Sequence, residues 1–468
     1  MKPPPPPQQK ETFSENGEKN FQIGRKCMQF KNYNDAIEAF KKAVEIDPRI
    51  ALGWNMLGLA YVNIGNMKEA IEAFRRAIKE FPEMVDAYYN LGLIYKKEND
   101  YDSAASAFKN LVGVYPDDKR NWYDVMEQLL DMSKYEACVE VIYKSVQYFP
   151  GETGFWTNLS IPLRELGLHE ESIKACNYAA HVLGEYRLSQ RNKAMSLWAM
   201  GKYNEAMRVI YFKLESKLNG KKFRELHEIF KKEAAEKGIN IKKKEELPKR
   251  TRYDVLIEIV EACEYGLSIV PNHADGLYRL GMSYRELGKN DIAIENLLKA
   301  RMAIPKQAPY DLSLKPDAVS NALAGAYKEA GDYGNALIEA RRTIELNPKS
   351  ELSWKELAEI HILRGDFTHA SQAIKQGLMI NPQSYTILAT RAKIYLAKKD
   401  YDKAIDTLEI VLEKAFDKWV YWDELGLIYK EMGELQEARK CFEKAIKWKS
   451  DYSPAVKNLV KISMELNK

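Results

Sequence analysis

The sequence predicts an all-α solenoid, an array of about twelve copies of one helix hairpin. Three observations carry that expectation. Pro48, Pro82, Pro116 and Pro150 stand 34 residues apart, and each ends a helix because proline cannot continue one. Between them the same large and small residues recur. Ala51–Met84 shows the set most fully, with Trp54, Leu57, Gly58 and Tyr61, then Ala70, Phe74 and Pro82. A glycine also returns where the first helix of a pair must end. Gly65 has counterparts in Gly167, Gly201, Gly288, Gly331, Gly365 and Gly433, each suited to a left-handed cap.

Taken in order, residues 1–16 form a proline-rich tail. Its run Pro3–Pro7 favours an extended polyproline helix and reads as disordered. Residues 17–216 hold six repeats. Gly24 and Phe40 mark the first, Gly92 and Phe108 the third, and Trp122 with Cys138 the fourth. The fifth and sixth are more divergent, and Pro162 falls inside a first helix. Residues 217–273 read as a divergent repeat with a basic loop. An amphipathic helix runs from about Lys221 to Lys237, with Phe223, Leu226 and Phe230 in its stripe. A second helix over 252–270 ends at Pro271. Residues 274–452 hold five more repeats, with an insertion at 308–316. Residues 453–468 form a capping helix that Pro454 opens, with Val456, Leu459, Val460 and Ile462 covering the last repeat.

The small residues have a mechanical role. Gly58 and Ala70 let the two helices of a hairpin close together, and the large side chains fill the holes that result. Such an array escapes the size limit of a single core, because each repeat packs only on its neighbours.

The W-x2-L-G-x2-Y, A-x3-F, P spacing of Ala51–Met84 resembles the tetratricopeptide repeat superfamily, and the resemblance extends over most of the chain. It implies a right-handed superhelix whose first helices line a concave groove. It also implies a non-enzymatic scaffold or adaptor that captures a peptide or a helical segment of a protein partner.

In that register the sixth residue of each repeat faces the groove. The first six repeats place Gln22, Met56, Asn90, Asp124, Asn158 and Asn192 there. Carboxamides both donate and accept, so Asn90, Asn158 and Asn192, with Asp124, suit a ladder that holds a peptide backbone. Tyr89, Tyr123, Arg120 and Arg164 flank it as anchor residues common at interfaces. The clamp by which some family members grip a C-terminal carboxylate is not expected. Asn55 and Leu59 stand where it needs Lys and Asn, and Asp124 takes the place of an Arg.

Residues 217–252 hold thirteen basic and six acidic residues, a net of +7 against +4 for the whole chain. Lys242, Lys243, Lys244, Lys249, Arg250 and Arg252 in or beside the loop are therefore candidates for contact with nucleic acid or an acidic partner. No aromatic interleaving supports base stacking, so nucleic acid is the lesser reading. A regulatory subunit carrying an enzyme in trans is a further alternative.

No catalytic residue, cofactor or metal site is expected. His169, His181, His227, His273, His361 and His369 are scattered, and no HExxH, phosphate-binding loop or nucleophile elbow occurs. Cys27, Cys138, Cys176, Cys263 and Cys441 form no CxxC pair and fit helix interiors, which points to reduced thiols in the cytoplasm. No apolar run is long enough for membrane insertion.

Overall fold

The computed structural model describes residues 14–214, 220–248, 250–307, 314–450 and 452–466. The proline run, Lys249 and most of the 308–316 insertion lie outside the described residues. Among the described residues there are twenty-five α-helices, one short 3-10 turn and no strand. The chain divides into two compact units, 1–249 with 268–271, and 250–267 with 272–468.

In the first unit the hairpins are α1 (Glu15–Gln29) with α2 (Tyr33–Ile46), α3 (Ala51–Asn63) with α4 (Met67–Glu80), and α5 (Val85–Lys97) with α6 (Tyr101–Val114). Then come α7 (Lys119–Asp131) with α8 (Tyr135–Tyr148), α9 (Thr153–Glu165) with α10 (His169–His181), and α11 (Arg187–Ala199) with α12 (Tyr203–Leu214). Helix α13 (Gly220–Glu236) closes this series. Its buried Phe230 stacks on Trp198, with ring centroids 3.9 Å apart.

Most of α14 (Arg252–Ile269) belongs to the second unit. It is followed by α15 (Ala274–Glu286) with α16 (Asn290–Gln307), and α17 (Pro316–Glu329) with α18 (Tyr333–Leu346). The last three hairpins are α19 (Glu351–Leu363) with α20 (Phe367–Ile380), α21 (Tyr385–Ala397) with α22 (Tyr401–Lys414), and α23 (Lys418–Met432) with α24 (Leu435–Trp448). Helix α25 (Ser453–Leu466) ends the described chain. It covers the last hairpin with Ala455, Leu459, Ile462 and Leu466. Val456 and Val460, expected on that face, point to solvent instead. The buried stripe runs through Ala455, Leu459 and Ile462 at helical spacing, and Val456 and Val460 each lie one step off it.

Within a hairpin the close approach is a glycine against a ring. A Cβ on Gly58 would stand 2.7 Å from Phe74, and one on Gly92 or Gly426 would stand 2.6 Å from Phe108 or Phe442. Where the glycine is lost, the facing ring is lost too. Met126 and Ser160 occupy the glycine position, and Ile142 and Cys176 the aromatic one, all of them buried. Between hairpins, a tryptophan indole donates back to the proline carbonyl of the preceding repeat. Trp54, Trp122, Trp156 and Trp354 reach Pro48, Pro116, Pro150 and Pro348 at 2.7 to 3.2 Å.

The hairpin turns all use a left-handed residue. It is glycine at 65, 167, 201, 288, 331, 365 and 433, but Lys31, Asn99, Ser133 and Lys399 hold the same conformation, with φ between 55° and 61°. A side chain there crowds its own backbone. Ser133→Gly and Lys399→Gly are each expected to stabilise their hairpin by about 0.5–1 kcal/mol, read as a rise in the denaturation midpoint. A fall in the midpoint would show that the turn does not carry this strain.

Candidate peptide-binding face

In the first unit, helices α7 and α9 flank an open depression of about 450 Å³. Tyr123, Met126, Glu127, Leu130 and Asp131 line it from α7, and Asn158 lines it from α9. These α7 positions share one helix face, because residues three, four and seven apart point the same way. Tyr123 and Asn158 are among the groove residues that the sequence marks. Met126, Glu127, Leu130 and Asp131 are not, although the i, i+3, i+4, i+7, i+8 spacing from Tyr123 puts them on the same face.

Tyr123 is fixed in place. Its ring lies on Phe155 with centroids 4.4 Å apart, and its hydroxyl donates to Glu152 at 3.1 Å. Burial, aided by Glu152, raises the phenol above its usual range. Gly154 makes room for this arrangement, since a Cβ there would run into the Tyr123 hydroxyl. The charged residues on the lining face of α7 are acidic. Asp124 and Glu127 are exposed, while Asp131 is paired with Lys96 at 2.7 Å.

The other ladder residues have different surroundings. Asn90 is half-buried and donates to the Asn55 side chain at 3.3 Å, across to the preceding hairpin. Asn192 is only 6% exposed. Its amide donates to the Thr157 carbonyl at 3.2 Å and to Ser160 Oγ at 2.8 Å, which fastens α11 to α9. Among the flanking residues, the Tyr89 ring sits edge-on to Phe108. Arg120 is exposed and pairs with Asp118 at 2.7 Å, and Arg164 is largely buried and pairs with Glu165 at 3.0 Å.

In the second unit the first helices carry a row of ion pairs. Arg285 meets Glu329 at 2.6 Å and lies against Gly325. Lys328 meets Glu356 at 2.8 Å and Glu359 at 3.0 Å, and Lys355 meets Glu359 at 2.9 Å. Lys393 then reaches Glu359 at 3.9 Å and Glu424 at 3.5 Å. The row crosses α15, α17, α19, α21 and α23.

The basic residues divide between the two units. Lys242, Lys243 and Lys244 are exposed and adjoin Glu245 and Glu246. Arg250 pairs with Glu258 at 2.8 Å, and Arg252 holds Glu286 through a bidentate contact at 2.6 to 3.0 Å. Two of the candidate contacts are thus neutralised within the second unit. Burial pushes the Cys138, Cys176 and Cys263 thiols up to about 12, which removes them as nucleophiles.

Three family models, each described as tetratricopeptide repeat, match the chain. One covers 23–85 and 55–119, one covers 274–306 and 421–452, and one covers 362–428. The chain is a tetratricopeptide repeat protein. No curated protein matches it.

Solved structures similar to this tetratricopeptide repeat protein include a thermophilic member of the family from Thermus thermophilus. It is 20% identical, with 41% of this chain and 99% of that chain covered and a TM-score of 0.36. The Cut9–Hcn1 hetero-tetramer of the APC/C is 14% identical over 96% of each chain, with a TM-score of 0.42. Naa15/Naa10 bound to HypK-THB is 15% identical over 96% of this chain and 79% of that one, with a TM-score of 0.31. No helix among the described residues is long and apolar enough to cross a membrane.

The fold also gathers residues of this tetratricopeptide repeat protein that the sequence leaves apart. His361, Asp366 and His369 meet at the turn between α19 and α20, with one ligand atom from each within 4.8 Å of the others. Their H-x4-D-x2-H spacing was visible, but it acquires meaning only once the turn folds Asp366 back over α19.

Proposed function

We propose that this protein is a non-enzymatic scaffold that binds an extended or helical segment of a protein partner on the first-helix face of its first unit. The open depression between α7 and α9 is the observation that carries this reading. Met126 and Leu130 offer an apolar floor, Tyr123 a rigid aromatic wall, and Asn158 a carboxamide suited to a peptide backbone. Glu127, exposed in the lining, gives the depression acidic charge. The segment that fits has an apolar anchor flanked by a basic side chain. The second unit's ion-pair row already satisfies its own charges, so it supports this role less well. Five free cysteines accord with action in the cytoplasm.

A peptide selected against the full chain from a random library gives the test. Leu130→Ser and Asn158→Ala are each expected to weaken its binding by about tenfold, near 1.4 kcal/mol. Both positions border solvent, so the fold should persist. Unchanged affinity in both variants would contradict the assignment.

A further inference from the structure

The geometry points to a metal site: we propose that His361, Asp366 and His369 bind one divalent zinc-type cation at the turn between α19 and α20. The three donors come from three different structural positions. His361 lies near the C-terminal end of α19, Asp366 caps the N-terminus of α20, and His369 occupies the first turn of α20.

Asp366 divides its two oxygens between two tasks. Oδ1 accepts the His369 backbone N–H at 3.2 Å, which is the capping bond. Oδ2 faces both imidazoles, 2.7 Å from His369 Nδ1 and 3.4 Å from His361 Nδ1. Two ligands bound to tetrahedral zinc at about 2.0–2.1 Å are roughly 3.4 Å apart. The Asp366–His361 edge already has that length. The Asp366–His369 edge is at hydrogen-bond length and must open slightly, which the 58% exposed His369 side chain can do. The two rings stack with centroids 5.3 Å apart and planes 20° from parallel, so both present an edge to the carboxylate.

His361 supplies the independent observation. It is only 4% exposed, and its Nδ1, aimed at Asp366, makes no hydrogen bond. A buried imidazole nitrogen in that state calls for a partner, which a cation would supply. Arg341 and Arg364 lie near this imidazole. The two arginines oppose a cation, so the Asp366 charge is essential. Two imidazoles and one carboxylate leave a fourth position for water or a donor from a bound partner. Imidazole donors favour Zn²⁺, Cu²⁺ or Ni²⁺ over Mg²⁺ or Ca²⁺.

Untagged full-length protein, stripped with a chelator, is titrated with Zn²⁺ by calorimetry and with Co²⁺ by visible absorption. One equivalent is expected, with a tetrahedral cobalt spectrum. His369→Gln is expected to weaken binding by more than about tenfold, as is Asp366→Asn, which can still cap α20. His169→Gln, a control remote in sequence, is expected to change nothing. Mg²⁺ is expected to leave the protein unsaturated. Absence of a saturable equivalent, or an unchanged affinity in His369→Gln, would overturn the site.

Discussion

Replacing Glu359 with Ala is expected to destabilise the second unit by about 3 kcal/mol, the largest effect of any single charge removal in its ion-pair row. Glu359 is 17% exposed and lies within reach of Lys328, Lys355 and Lys393. Its removal leaves the largely buried Lys328 ammonium with Glu356 alone. Burial on its own would raise the Glu359 carboxyl, but Lys355 and Lys328 overcome it and hold the group at about 2. The folded value is therefore below the ordinary value of 4.5. The stabilisation is fully present above about pH 4.5 and is lost as the pH falls toward 2. A denaturation series between pH 6 and pH 3 should show the wild type losing stability faster than Glu359→Gln. Parallel curves would mean that the row contributes nothing.

Trp156→Ala is expected to cost about 4–5 kcal/mol in the first unit. Trp156 is fully buried, packs on Tyr178 with ring centroids 4.4 Å apart, and donates its indole N–H to the Pro150 carbonyl at 2.9 Å. The substitution opens a cavity and removes a bond that joins the fourth hairpin to the fifth. Trp156→Phe separates the two effects. It keeps much of the volume, strands the carbonyl and is expected to cost about 1–3 kcal/mol. Urea denaturation followed by hydrogen exchange should place the loss in α8, α9 and α10. An equal cost for both substitutions would mean that packing contributes little here.

The hairpin series was legible because each device acts over a short stretch of chain. Gly58 against Phe74, Trp54 against Pro48 and the left-handed turn at Gly65 need only local spacing. The turns at Lys31, Asn99, Ser133 and Lys399 were less visible, because there the register dictates the left-handed residue against its own preference. The candidate site was legible in part. Register alone marked Asn192 as a groove residue, but its burial depends on neighbours in other helices. Ser172 bonds to both the Ser160 carbonyl and Ser196 Oγ at 2.8 Å. These small side chains tie α9, α10 and α11 together, and Asn192 bonds to Ser160 among them. The α7 face is recovered by extending the register along a whole helix, and the histidine pair by following the chain around a turn.

Amide hydrogen exchange of the full chain, with and without a selected peptide, tests the proposed binding face most directly. The expected result is peptide-dependent protection over Lys119–Asp131 and Thr153–Glu165, the helices that flank the depression, and none over Tyr135–Tyr148. Protection over Tyr135–Tyr148 without any on α7 or α9 would contradict it.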